Sequence, residues 1–301
     1  MLKTTLGDFE LIHVTDGPIL LDGGVMFGVV PKIIWQKKYP PDENNMLHFA
    51  LNSLIVRSDE HTILIETGAG PKLPQPMREL YGTQPRLLEN LAEIGLGADD
   101  IDVVINTHLH FDHCGWNTYY KGDRLAPTFA RATYYVQRGE VEHGRLQLLR
   151  DRVSYRPENY EPLLAAGRMR LLDGDHELFP GISVRRYPGH THDIQAVVVR
   201  SQGKTACFAS DIVPSSYHLL PTWVTAYDLD PVQSIESRQR LYGEAASQNW
   251  LLAFAHDLHM PWAFVRQDEP DRYRFEPATG AAIAADQGEE AVIIPRPDFA
   301  A

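Results

Sequence analysis

Residues 108–114 read His108-Leu109-His110-Phe111-Asp112-His113-Cys114, three imidazoles and one carboxylate within six consecutive positions. Neutral imidazole and carboxylate are the donors that borderline divalent metals prefer. A polar surface loop with coincidental histidines would have solvated flanks, and this one does not. Immediately upstream, Ile101-Asp102-Val103-Val104-Ile105-Asn106-Thr107 is short, apolar and β-branched, and reads as a buried strand. The chain must therefore fold so that a core strand ends where the cluster begins, the place where α/β folds put ligand chemistry.

At 301 residues the chain can bury a large core. Its 44% hydrophobic and 23% charged content is that of an ordinary globular protein. No apolar run approaches the ~20 residues that span a bilayer. The opening residues, Met1 to Asp8, have no stretch like the apolar core of a signal peptide. The expectation is a cytoplasmic protein with no membrane partner. A formal net charge of −12 without a compensating basic block weighs against nucleic acid, and none is expected as a partner. A small, neutral or hydrophobic substrate suits that balance. Only Cys114 and Cys207 are present, so no disulfide framework organises the fold. Cys114 is expected to pack as a small buried residue beneath the cluster.

Strand-like runs alternate with helical ones. Strands are expected at 9–14, 51–56, 62–66, 102–107, 132–136, 169–172, 183–187, 195–200, 205–209 and 250–255, and helices at 86–94, 139–149 and 232–247. No repeat or long linker divides the chain. It reads as a single α/β domain over 1–301, with 1–46 as an N-terminal extension. Three further strands run directly into ligand-type residues. The run 183–187 leads to Pro188-Gly189-His190, the run 205–209 to Ser210-Asp211, and the run 250–255 to His256. His259 is a second choice for the last position. Asn106, Thr107 and Ser210 are placed to hydrogen-bond and orient the ligands. His192 is at most a supporting residue, and His13, His48, His61, His143 and His176 have no motif context.

This ordered set resembles the metallo-β-lactamase superfamily, whose dinuclear members carry His-x-His-x-Asp-His, a later His, a bridging Asp and a final His. The resemblance implies an αββα four-layer sandwich with two metals at one edge of its two sheets. On that pattern His108, His110 and His190 hold the first ion. Asp112, His113 and His256 hold the second, and Asp211 bridges. Zinc is the expected metal, with iron, cobalt or manganese compatible with the donors. Two such ions generate a bridging hydroxide near neutral pH and polarise an ester-like carbonyl or phosphoryl group. Asp112 is the catalytic residue, binding metal through one oxygen and handling a proton with the other.

Substrate choice rests on Gly23-Gly24-Val25-Met26-Phe27-Gly28-Val29-Val30-Pro31-Lys32-Ile33-Ile34-Trp35. The segment reads either as a hydrophobic hairpin packed on the core or as a loop walling an apolar pocket. It looks like the corresponding segment of quorum-quenching N-acyl-homoserine lactonases and the related methyl parathion hydrolases. That likeness implies opening of a lactone ring by attack of the bridging hydroxide, with a homodimeric assembly. Phosphotriesterase, arylesterase or thioesterase activity on the same site is the alternative. Met26, Phe27, Trp35, Trp116, Tyr217, His218 and Trp223 are the expected pocket residues. One position departs from the lactonase pattern. Many such enzymes carry a Tyr three residues after the bridging Asp, and here Pro214 stands there, with Tyr217, His218 or Tyr227 as substitutes.

Overall fold

The computed structural model describes residues 2–269 and 272–278, so the end of the expected 1–301 domain, 279–301, lies outside the described residues. Strands β1 (Lys3–Leu6), β2 (Phe9–Asp22), β3 (Met46–Arg57), β4 (Thr62–Ile65) and β5 (Val103–Ile105) come first. A small hairpin of β6 (Thr118–Lys121) and β7 (Arg124–Pro127) precedes β8 (Thr133–Gln137) and β9 (Met169–Leu172). The second half supplies β10 (His176–Phe179), β11 (Ile182–Arg186), β12 (Gln195–Ser201), β13 (Lys204–Phe208), β14 (Leu251–Ala253), β15 (Trp262–Glu269) and β16 (Arg272–Pro277). They assemble into two seven-stranded sheets, ordered β1-β2-β3-β4-β5-β8-β9 and β10-β11-β12-β13-β14-β15-β16.

Side-chain alternation builds the layers. In β4, Ile63 and Ile65 face the second sheet while Leu64 faces outward, and Val103 and Ile105 flank Val104 in the same way. Between the sheets these residues meet Val197, Val199 and Phe208. Each fully buried aliphatic there contributes about 1.5–3 kcal/mol. Outside the first sheet lie Leu87 and Leu91 of the helix Leu87–Glu93 and Val141 of the helix Arg138–Leu146. Outside the second lies the helix Pro231–Ser247, whose Leu241, Tyr242 and Ala245 pack on Ala196, Val198 and Leu252. Asp230 caps this helix by accepting the Gln233 N–H at 3.0 Å. The result is the αββα sandwich.

Among the described residues, parallel pairing is confined to β4-β5-β8-β9 in the first sheet and β13-β14 in the second. Parallel neighbours finish at the same sheet edge, so the residues after β4, β5, β13 and β14 emerge together. That edge carries the cluster.

Several boundaries differ from expectation. Strand β2 does not stop at Val14. It shifts register between Thr15 and Pro18, where Gly17 adopts φ 117°, and runs on to Asp22. Residues Lys3–Asp22 of the expected extension thus pair within the first sheet, and the 23–45 excursion lies between β2 and β3. Strands β1, β6, β7, β10, β15 and β16 were not expected; in the two edge strands β10 and β16 polar and charged residues hide the alternation. Among the described residues no helix is long and apolar enough to cross a membrane.

Candidate metal centre

Strand β5 ends at Ile105, and the backbone turns through Asn106–Leu109 into the short helix Phe111–Cys114. This turn aims His108 and His110 to one side and brings Asp112 and His113 round beside them. Ligand atoms of His108, His110 and His190 lie within 4.8 Å of one another, and so do those of Asp112, His113 and His256. Asp211 stands between the two groups. Its Oδ2 is 3.3 Å from His190 Nε2 and 3.5 Å from His113 Nε2, and its Oδ1 is 3.1 Å from His256 Nε2. All seven residues expected at the centre therefore meet there. His259 does not join them: it is exposed, its backbone N–H donates to Asp257 Oδ1 at 2.8 Å, and its ring lies 6.3 Å from that of Tyr39.

The donor atoms fit a pair of ions. His190 Nε2 lies 3.1 Å from His110 Nδ1, and His256 Nε2 lies 3.2 Å from His113 Nε2. Two imidazoles bound at about 2.0–2.1 Å to one tetrahedral ion have nitrogens about 3.4 Å apart. The Nε2 atom of His108 is buried without a hydrogen-bond partner, an arrangement that costs free energy unless something occupies it. Burial, with the His113 and His110 imidazoles next, holds His108 well below the usual histidine range, and burial with His190 does the same for His110. Both are thus in the neutral form that binds metal. Burial alone would raise the Asp211 pKa, but His113, His256 and His190 outweigh it and keep the carboxylate ionised.

Behind these donors is a layer of oriented partners. His190 Nδ1 bonds Asp228 Oδ1 at 2.9 Å, and the Thr225 hydroxyl donates to the same oxygen at 2.7 Å. His256 Nδ1 bonds the Ala50 carbonyl at 2.9 Å. His113 Nδ1 lies 2.8 Å from Glu66 Oε2, while Glu66 Oε1 accepts the hydroxyls of Thr107 and Ser210, the latter at 2.6 Å. Thr107 Oγ1 also meets His108 Nδ1 at 2.9 Å. Thr107 and Ser210 thus sit where the sequence placed them, and Asn106 donates to the His113 carbonyl at 3.3 Å. Glu66 and Asp228 were not anticipated. Glu66 follows β4 directly, so a search of strand ends for Glu as well as His and Asp would have found it. Asp228 lies in a loop with no such signal. Cys114 is fully buried against the His110 carbonyl at 3.2 Å, and burial pushes its thiol up to about 12, so it packs rather than ligates.

A cavity opens beside the donors, lined by Leu21, Met26, Tyr81, Phe111, Ser154, Thr225 and Tyr227 together with His110, Asp112, His190, Asp211 and His256. Of the expected pocket residues Met26 reaches it. Phe27 lies one layer behind, stacked on Trp35 at 5.1 Å and on His218 at 5.2 Å, with Trp223 edge-on at 5.5 Å. His218 is fixed between Ser215 Oγ and the Met26 carbonyl, both at 2.9 Å, and burial lowers its pKa to about 3. Tyr217 stacks on Tyr39 at 4.3 Å, outside the lining, and the Trp116 indole donates to Asp16 at 2.8 Å. These aromatics turn inward because an apolar excursion of this length needs its own small core. The phenols at the cavity are Tyr81 and Tyr227, which hydrogen-bond each other and are raised in pKa by burial first. Pro214, where a Tyr was noted as missing, is buried and accepts the His256 backbone N–H through its carbonyl at 2.9 Å.

Comparison with known proteins agrees with this geometry. The chain is 23% identical over 225 residues to the N-acyl homoserine lactonase AiiA of Bacillus thuringiensis subsp. kurstaki, covering 71% of this chain and 83% of that one. A crystal structure of a probable metal-dependent hydrolase from Staphylococcus aureus superposes with a TM-score of 0.83 at 29% identity, over 92% of this chain and 100% of that one. AidC, a dizinc quorum-quenching lactonase solved with a product bound, superposes at TM-score 0.76 and 20% identity, over 92% and 97% of the two chains. The model of the metallo-beta-lactamase superfamily matches residues 49–256, a stretch that holds every residue of the two donor groups and Asp211. On that match, and on the convergence of strand ends it spans, the protein belongs to the metallo-beta-lactamase superfamily and is a metal-dependent hydrolase.

Proposed function

We propose that this hydrolase opens the ring of a lactone bearing an apolar chain, an N-acyl-homoserine lactone being the type. The observation that carries the reading is the cavity itself, whose lining brings Asp211, Asp112 and three imidazoles together with the apolar Leu21, Met26 and Phe111. A compact polar ring held at the donors with an aliphatic tail suits that mixed lining. The lactonase names of AiiA and AidC favour the same substrate class.

The His108–His110–His190 and Asp112–His113–His256 groups, joined by Asp211, would hold two ions, zinc being the best match to a His-rich set. Such ions supply an activated water at neutral pH and Lewis acidity toward the carbonyl. Around them the chain's own groups do the rest. Asp112 is the partly exposed carboxylate of the set and faces the cavity, so its free oxygen can hold the proton passed to the leaving alkoxide. Tyr227, a phenol in the cavity lining, is the group that would donate to the substrate carbonyl in the role open at Pro214. The reading includes a homodimer, and Val29 and Ile33, 87% and 66% exposed in the 23–35 segment, offer apolar surface for a second copy.

The test is a substrate panel on metal-quantified protein, with lactones of several chain lengths beside thioesters and paraoxon-type phosphotriesters. Lactones are expected to turn over fastest. Asp112→Asn and His110→Ala are each expected to lower kcat/KM by about 10²–10⁴ with the circular dichroism spectrum unchanged. Faster turnover of phosphotriesters or thioesters, or full activity in both variants, would overturn the reading.

A further inference from the structure

The helix Arg138–Leu146 places a carboxylate, Glu140, in the protein interior at 1% exposure. Burying an ionisable group is costly unless donors surround it. Glu140 has three, each from a different segment. Oε2 accepts the Leu109 backbone N–H at 3.0 Å and the Tyr155 hydroxyl at 3.1 Å, and Oε1 accepts the Thr191 hydroxyl. Leu109 lies between His108 and His110, and Thr191 follows His190. Tyr155 pairs with His110 through a backbone bridge and meets its ring edge-on at 4.9 Å. One side chain therefore ties the two segments carrying His108, His110 and His190 to the residue that backs His110. None of its three bonds involves Asp112, His113 or His256.

We propose that Glu140 is a positioning residue for one metal of the pair: by joining Leu109, Tyr155 and Thr191 it sets the spacing of His108, His110 and His190 and hence the affinity of that group alone. The inference rests on the two-ion reading of the centre. A divalent ion binds tightly only where its donors are already held at the right separations, and outer partners that hold them are worth about 10–100-fold in affinity. Asp228 orients the His190 ring about its own axis, whereas Glu140 fixes the backbone segments relative to each other. Its effect should therefore be on one binding event and small on the other.

The experiment strips the full chain of metal and titrates it with Co²⁺, following the visible absorption of each bound equivalent, for the wild type, Glu140→Gln and Thr191→Val. Glu140→Gln replaces one acceptor oxygen by an NH₂ donor among three donors, and Thr191→Val removes one tether at nearly constant volume. The expected result is two equivalents in all three proteins, with one equivalent weakened about 10–100-fold in Glu140→Gln, weakened less in Thr191→Val, and the other within about threefold of wild type. If Glu140→Gln does not fold, a weakening of one equivalent in Thr191→Val carries the same conclusion. Wild-type affinity in every variant that folds, or equal weakening of both equivalents, would overturn it, the second outcome revealing a general scaffold role. A wild-type chain that binds no metal would instead overturn the two-ion reading.

Discussion

His190 can bind an ion beside Asp211 only if its Nε2 carries a lone pair, and Asp228 favours that tautomer. By accepting the Nδ1 proton at 2.9 Å it leaves Nε2 free and fixes the ring plane. Asp228→Asn is expected to cut metal affinity and kcat/KM by about 10–100-fold with little change in thermal unfolding of the metal-free protein. Metal-content analysis beside steady-state kinetics checks it, and unchanged values in both would refute the role. The donors were readable in the sequence because metal chemistry restricts residue type and because each follows an apolar run. Glu140 and Asp228 were not, since a carboxylate that braces the donors from behind has no required spacing to them, whereas Glu66 directly follows β4 and carries the same strand-end signal as the donors. The aromatic residues at 27, 35 and 223 were read as pocket because composition reports apolarity and not direction, and the fold turned them toward one another.

The bulge in β2 shows what a single irregular element does for the site. It re-aims Asp16 out of the ladder into the loops beneath the donors, where Asp16 accepts N–H groups from Gly70 at 3.0 Å and from Arg86 and Leu87 at 2.9 Å, besides the Trp116 indole. Burial outweighs these bonds and raises its pKa to about 6 from an ordinary 3.8. The folded chain thus holds this proton at pH values where the unfolded chain has lost it. A raised carboxyl pKa makes the group's contribution to stability fall as pH rises through that window. Wild type is therefore expected to lose about 1 kcal/mol relative to Asp16→Asn between pH 5 and pH 7, measured by urea unfolding at each pH. An opposite slope would show that the carboxylate form is the favoured one. Strand existence in the interior was legible from β-branched runs such as Ile63–Ile65 and Val103–Ile105. The bulge was not, because Asp16-Gly17-Pro18 reads as a turn and only pairing with β3 reveals that the strand resumes.

The first sheet delivers His108, His110, Asp112 and His113, and the second delivers His190, Asp211 and His256, so any ion held here adds a tie between two sheets already joined by apolar packing and by hydrogen bonds such as Gln137 Nε2 to Gln195 Oε1 at 2.8 Å. Removing metal with a chelator is expected to lower the unfolding free energy by about 3–4 kcal/mol where free ion had exceeded its Kd by 100–1,000-fold. Denaturant melts with and without chelator measure this, and coincident curves would show that the sheets do not depend on the tie. The four-layer order was legible only through the family resemblance, since local patterns give strands and helices but not which sheet a strand joins.

The parallel pairs have one more consequence, at the far end of the molecule. Because β4 and β13 finish at the donors, they begin at the opposite margin, where the turns at 7–8, 58–61 and 202–203 gather and Asp8 bonds Ser201 and Gln202. Among the described residues, none of these turns lines the cavity. Asp59 and Glu60, both exposed at its rim, form a natural handle through which the enzyme could be anchored to a support or fused to another protein with its mouth facing freely outward.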